Sequence, residues 1–377
     1  LTRIAEISAS ERIILVIDEY PYLAGAEPGI SSLLQNYIDH QYKNTKLFLI
    51  LCGSSMSFME NQVLGYQSPL YGRRTAQFKI QPFGYLDTGK WFPDYSYVDK
   101  AVMYGITGGI PLYLEQFSSS LSIRENLLEN FFNKNAMLFE EPSNLLKQEL
   151  REPSTYNAIV TAIASGKTKM SEIATTVGME TGLCTKYLAN LISLGVIRRE
   201  TPVTDPSSRR PIYLIEDQFF RFWFAFMPHN MSAVLSDRIE QNYASSIEGR
   251  ISDYMGLTFE KMCRDYILYY DNNLPFPIGQ VGQWWGGHPK TRKQAQIDVV
   301  ASSTSDDWCI VGSCKFRNTP VDVNELTLLK DYTQAMGHYR KHYYYLFSKS
   351  GFTDTLTALA QEENVRLLTL KDLYTLP

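Results

Sequence analysis

Five consecutive aliphatic residues, Ile13–Ile17, followed at once by Asp18 and Glu19, make the sharpest apolar-to-polar step in the chain. An uninterrupted apolar run reads as a strand of a parallel sheet covered on both faces. Acids at its C-terminal tip lie where an open α/β sheet places its ligand chemistry. A helical stretch over residues 31–41 and a second apolar run over 47–52, ending in Gly53, Ser54 and Ser55, complete a strand–helix–strand unit. A further short strand is predicted over 76–80. Gly108, Gly109, Ile110 and Pro111 then open a helix, with Pro in its first turn and glycines making the turn before it.

From about Pro153 the pattern changes. Helices over 155–165 and 171–177, the second capped by Ser171, a glycine-containing turn, a helix over 183–194 with Gly195 as its stop, and strands over 196–201 and 211–215 predict a winged helix-turn-helix. Its third helix presents Thr181, Thr185, Lys186 and Asn190; its wing carries Arg198, Arg199, Arg209 and Arg210. Such a helix enters a major groove while wing arginines hold phosphates. Packing of the module against its own neighbouring domain or a protein partner is the alternative, since a fold does not fix its use. The dense run Phe219, Phe220, Phe222, Trp223, Phe224 and Phe226 is placed all round one helix, which predicts a packed core helix and not a base-stacking surface.

The last third alternates again. A helix over 249–270 carries Glu260, an aromatic and glycine-rich stretch follows (Trp284, Trp285, Gly286, Gly287), and strands are predicted over 296–301, 308–315, 343–347 and 365–370, with helices over 323–336 and 353–363. Asp298 and Lys315 stand at the ends of a hairpin. Carboxylates on adjoining strands can hold Mg²⁺ while a lysine positions water and stabilises charge, with Glu260 as auxiliary acid. These residues resemble the restriction-endonuclease-like PD-(D/E)XK pattern, which has an acid two residues before the lysine; that position here holds Ser313, and a neutral hydroxyl is a poor ligand for a hard cation. A degenerate domain kept for packing or DNA docking is therefore favoured over an active nuclease.

Composition narrows the classes. With 377 residues, 44% apolar and 20% charged, the chain suits a soluble protein of two or three domains. A net charge of -4 excludes a global pull toward nucleic acid and leaves only local patches. The five cysteines form no C-x-x-C pair and their odd number argues against a disulfide framework, so a reducing cytoplasm is expected. No apolar run reaches the roughly 20 residues of a membrane span, and the amino end lacks the features of a signal peptide.

Together, Ile13 to Glu19 with Tyr20 to Leu23, Leu49 to Ser55, Pro69 to Thr75, Gly108 to Leu114, the winged helix and Ile297 to Lys315 with Leu346 to Phe352 resemble the AAA+/STAND-type ATPases often called the archaeal ATPase family. Its members end in a nuclease-like domain of PD-(D/E)XK pattern. The resemblance implies binding of ATP and Mg²⁺, with Asp18 as the Mg²⁺ ligand of a Walker B strand and Glu19 as catalytic acid. It implies Ser54 or Ser55 as γ-phosphate sensor, although a serine here also suits a helix cap, and Arg73 or Arg74 as arginine finger. Gly109, Ile110 and Pro111 are similar to the GxP motif of the STAND lid. The phosphate cradle G-x-x-x-x-G-K-[ST] should precede Ile13 and does not occur in these residues, so the chain reads as entered within its first domain. The expected architecture is an α/β multidomain protein. It comprises a partial P-loop NTPase parallel sheet with helical lid over 1–152, a winged helix over 153–228 and a restriction-endonuclease-like α/β domain over 229–377. ATP, DNA and a protein partner or second copy are the expected partners. A non-enzymatic DNA-binding regulator and a divergent metal-dependent DNA nuclease are the competing functions.

Overall fold

The computed structural model describes residues 1–54, 58–208, 210–337 and 339–375; Ser55 and Arg209 lie outside the described residues. The chain divides into two compact units, residues 1–81 with 189–195, and residues 82–188 with 196–377.

In the first unit, strand β1 (Ile13–Ile17) pairs in parallel with β2 (Leu47–Leu51), Ile13 opposite Leu47 and Ile17 opposite Leu51. Helices Tyr20–Ala26 and Ile30–His40 form the crossover between them. One face of the pair packs through Ile17 and Leu51 on a core of Tyr20, Leu34, Val63 and Leu70. On the other face Ile14, Val16, Phe48 and Ile50 are exposed. The two-sided burial expected of a continuous aliphatic run is thus not met among the described residues. Side chains alternate across a strand, and only one face here has a layer against it. Nor does a strand form over 76–80, where every residue is exposed and Phe78 and Ile80 are 84% and 87% accessible. Extended backbone becomes a strand only when a neighbour takes its amides and carbonyls, and none of the described strands pairs with it.

In the second unit, helix Tyr97–Thr107 is buried over its last seven residues and ends at Gly108; Gly108 and Gly109 are both left-handed, and Pro111 starts helix Pro111–Leu114. Helices Pro153–Ala164, Met170–Val177 and Thr181–Ser193, the last with its residues 189–193 counted to the first unit, are followed by β3 (Ile197–Glu200) antiparallel to β4 (Ile212–Ile215). The second of these helices starts two residues earlier than a cap at Ser171 would have it. Lys169 takes the cap position and its amide and ammonium both engage Glu172, which leaves Ser171 inside the first turn. Helix Gln218–Leu235 buries Phe219, Phe220, Phe222, Trp223, Phe224 and Phe226, as their all-round placement demands.

The remaining strands, β5 (Ile278–Gly287), β6 (Gln294–Ser303), β7 (Trp308–Lys315), β8 (Lys341–Ser348) and β9 (Val365–Thr369), form one sheet in sequential order. The first three are antiparallel and the last two pairings parallel. Strand β5 is an element that the sequence pattern did not predict: its last four residues, Trp284, Trp285, Gly286 and Gly287, read only as an aromatic, glycine-rich stretch. Its glycines weaken strand propensity, its ladder with β6 slips in register at two points, and only pairing holds it extended. Helix Val323–Met336 packs Leu326, Leu329 and Met336 onto the sheet core of Ile297, Val300, Val311 and Leu346. Among the described residues no helix is long and apolar enough to cross a membrane.

Candidate functional site

The tips of β1 and β2 are laced together by main-chain bonds, the Cys52 amide to the Ile17 carbonyl at 3.1 Å and the Tyr20 amide to the Cys52 carbonyl at 2.9 Å. Asp18 is exposed there. Its Oδ1 accepts from the Glu19 amide at 2.9 Å and from Cys52 Sγ at 3.3 Å. The hydrogen bond to Asp18, with burial second, raises the Cys52 pKa, so this thiol stays a neutral donor. Glu19 adopts φ 47°, in the left-handed region. That conformation costs a side-chain-bearing residue about 1 kcal/mol or more. In return Glu19 caps helix Tyr20–Ala26 by its main chain and accepts a hydrogen bond from Ser54 Oγ at 3.2 Å on Oε2. The residue before Ser54 must be glycine, because a Cβ on Gly53 would lie 2.3 Å from Cδ of Pro21. Two neighbouring strand tips therefore bring Asp18, Glu19 and Ser54 together.

The two arginines separate in role. Arg73 donates through Nε and Nη2 to Asp39 at 2.9 and 2.7 Å and through Nη1 to the carbonyls of Pro69 and Tyr71 at 2.9 and 3.1 Å. It fastens the 69–73 turn to helix Ile30–His40, and a guanidinium so occupied is not free to reach a phosphoryl group. Arg74 is exposed and makes no ion pair with the described residues. The nearest approach to a phosphate cradle, Gly84 to Gly89-Lys90, has Trp91 in the Ser/Thr place. It folds as helix Tyr85–Trp91 with Lys90 paired to Asp87 at 2.7 Å, not as a loop.

No group of three or more His, Cys, Asp or Glu among the described residues is arranged to hold a metal ion. A nucleotide-bound Mg²⁺ needs none, since it keeps water and phosphate oxygens and takes one or two protein carboxylates. The exposed Asp18, with one oxygen uncommitted, fits that requirement.

In the second unit Asp298, Glu260 and Lys315 do come together, around a residue that sequence reasoning missed. Glu325, in the first turn of helix Val323–Met336, accepts from Lys315 Nζ at 3.0 Å and from Ser313 Oγ at 2.8 Å. Asp298 Oδ2 accepts from the Cys314 amide at 2.9 Å and lies 4.0 Å from Lys315. Arg264 approaches Glu260 at 3.6 Å and donates to the Asp298 carbonyl at 2.8 Å. The acid absent at Ser313 is thus replaced in space by one ten residues beyond Lys315, and the nearest downstream carboxylates at a helix start were its only sequence signal. Burial alone lowers the Lys315 pKa, and Asp298 with Glu325 more than offsets it, so the lysine stays charged. Burial raises Asp298, and burial first with Asp298 second pushes Glu260 up to about 7.

A carboxyl raised in the folded state binds its proton more tightly there than in the unfolded chain. Its contribution is complete below about pH 4.5 and is lost as pH rises through about 7. Glu260→Gln is therefore expected to lose less stability across this window than the unsubstituted chain, the difference between the two reaching roughly 3 kcal/mol at most. Denaturant titrations of both proteins at a series of pH values check this; parallel curves would show that Glu260 titrates normally.

Of the basic residues assigned to DNA, Lys186, Arg199 and Arg210 are exposed. Arg198 is half-buried and pairs with Glu200 at 2.9 Å and Glu216 at 2.6 Å, which ties β3 to the end of β4 and neutralises it.

A parallel strand pair with two adjacent acids at its tip and a hydroxyl just beyond the next strand is the arrangement by which an α/β protein builds a ligand site at the carboxyl ends of its strands. Comparison agrees: residues 3–117 match the family described as an ATPase domain predominantly from Archaea, and residues 223–327 match archaea bacterial proteins of unknown function. The uncharacterized protein MJECL04 of Methanocaldococcus jannaschii is 33% identical over 308 residues, which is 81% of this chain and 68% of that protein. The uncharacterized protein MJ0424 of the same organism is 40% identical over 45 residues, 12% of this chain and 44% of its own length. Among solved structures, protein VC1899 from Vibrio cholerae aligns with 10% identity and a TM-score of 0.27, covering 64% of this chain and 55% of its own. Can2 from Sulfobacillus thermosulfidooxidans, in complex with cyclic tetra-adenylate, aligns with 9% identity and a TM-score of 0.21, covering 97% and 91%. Scores this low carry no argument about this chain. The chain belongs to the archaeal-type ATPase family.

Proposed function

We propose that this chain is the Walker B half of an ATP-hydrolysing site, of AAA+/STAND type, joined to a winged helix over 153–228 and a PD-(D/E)XK-like domain over 229–377 that has lost its metal chemistry. The observation that carries the ATPase reading is the hydrogen bond of Ser54 to Glu19 beside Asp18, at the tips of adjacent parallel strands. Bound Mg–ATP would supply the phosphoryl group and neutralise charge on its oxygens. Asp18 would hold the metal through its uncommitted oxygen. Glu19 orients a water and draws its proton, and Ser54, which now holds the Glu19 carboxylate in place, is the group able to sense a phosphate oxygen. Arg74, not Arg73, is the finger. The cytoplasm suits such a protein.

The test is hydrolysis of ATP with Mg²⁺ and with a chelator, by the full-length protein. Absence of both nucleotide binding and hydrolysis there would overturn the reading. A DNA-binding role for the winged helix is supported by the exposure of Lys186, Arg199 and Arg210. Against nuclease activity stand the ion pair that ties Lys315 to Glu325 at 3.0 Å and the lack, among the described residues, of three His, Cys, Asp or Glu side chains arranged to hold a metal ion. Absence of DNA cleavage with Mg²⁺ and with Mn²⁺ would agree; cleavage lost in Asp298→Ala would restore the nuclease.

A further inference from the structure

The turn between β5 and β6 carries Lys290, Arg292 and Lys293, three cations within four residues of a chain whose net charge is -4. All three are exposed and none is ion-paired with a described residue. Their loop is nonetheless built from beneath. His288 is 3% exposed, its Nε2 meets Asp331 at 3.0 Å, and its Nδ1 accepts from the Thr291 amide at 3.2 Å. Main-chain bonds from the His288 amide to the Lys293 carbonyl and from the Arg292 amide to the His288 carbonyl, both 2.8 Å, close the turn. Arg292 adopts φ 56° to make it. A basic loop held this firmly loses little conformational freedom on docking.

A second contact places this loop beside the wing. The connection between β3 and β4 is fastened to β5, where the Val203 amide donates to the Gln283 carbonyl at 3.0 Å and Val203 packs on Gly282. Gln283 precedes the end of β5 at Gly287 by four residues, so the basic turn begins about 13 Å from the wing contact. That distance corresponds to about four base-pair rises along the axis of a duplex.

We propose that the 288–293 turn and the wing form one continuous surface for the phosphate backbone of duplex DNA, with Lys290, Arg292 and Lys293 as phosphate contacts. This inference rests on the proposed DNA-binding role of the winged helix. An acidic protein is the less favoured occupant, because the turn adds its cations beside a wing that already exposes Arg199 and Arg210, the charges of the proposed DNA contact.

The test uses the full chain and a labelled duplex, with affinity measured by anisotropy from about 50 to about 200 mM salt. Two variants are compared, Lys290→Gln/Arg292→Gln/Lys293→Gln and Arg199→Gln/Arg210→Gln, each checked for unchanged thermal unfolding. The turn variant is expected to bind at least about tenfold more weakly at the higher salt and to show a log–log salt slope shallower by about 2–3. The charge-keeping variant Lys290→Arg/Lys293→Arg should retain the original slope. If the wing variant weakens binding while the turn variant keeps the original slope, the turn is removed from the interface and the DNA reading stands. Failure of the unsubstituted chain to bind duplex at low salt would bring down the DNA reading itself. Binding of polyglutamate that depends on the turn, with duplex binding that does not, would overturn the proposal in favour of an acidic protein.

Discussion

Replacement of Glu19 by glutamine is expected to lower Mg²⁺-dependent ATP hydrolysis by about 10²–10⁴-fold and to leave nucleotide binding intact. The amide keeps the size of the side chain and can still accept from Ser54 Oγ, so the strand tips should hold their geometry. What is lost is the ability to take a proton from water. Asp18→Asn should behave differently, weakening Mg²⁺ dependence and affinity together, because that carboxylate has an oxygen left for the metal and no serine partner. Steady-state hydrolysis and nucleotide binding, measured side by side on the full-length protein, separate the two. Full turnover in Glu19→Gln would remove Glu19 from the mechanism.

Gly109→Ala should destabilise the second unit by about 3 kcal/mol or more, whereas Gly108→Ala should cost only about 1 kcal/mol. Both glycines are left-handed, at φ 74° and 63°, so both substitutions pay the backbone penalty. They differ in what a Cβ meets. At Gly108 the nearest atom is Cβ of Gln218 at 3.4 Å; at Gly109 it is the carbonyl oxygen of Phe83 at 2.0 Å. That carbonyl cannot retreat freely, because the Phe83 amide donates to the Gly109 carbonyl at 2.9 Å and holds the two segments together. Chemical denaturation of both variants tests this, and equal midpoints would show that the Phe83 segment yields. The glycine of the Gly-Ile-Pro motif thus has a packing reason independent of any nucleotide.

Much of the local structure was legible. Helix Val323–Met336 lies where its apolar spacing put it, Pro111 starts its helix, Gly195 ends another at φ 73°, and the carboxylate pair stands at a parallel strand tip. Strand β5 was hidden because its glycines carry no side-chain pattern, and residues 76–80 carried the pattern of a strand with no described partner to pair with. Ser54 was legible only as one of two serines; that its hydroxyl meets Glu19 is seen only in the structure.

What the amino-acid order determined by itself was the chemistry within a turn or a strand: runs, caps, stops and the acids that follow β1. Such features depend on neighbours a few residues away, and their physics is complete within a short window. Which charge meets which was decided only by the tertiary structure. Arg73 finds Asp39 across 34 residues and is taken out of the candidate site, Arg198 is neutralised by Glu216 across 18, and Glu325 crosses 12 to supply the carboxylate that Ser313 lacks. The path of the backbone sets those meetings, and an ionic group commits to whichever partner that path brings within hydrogen-bond reach.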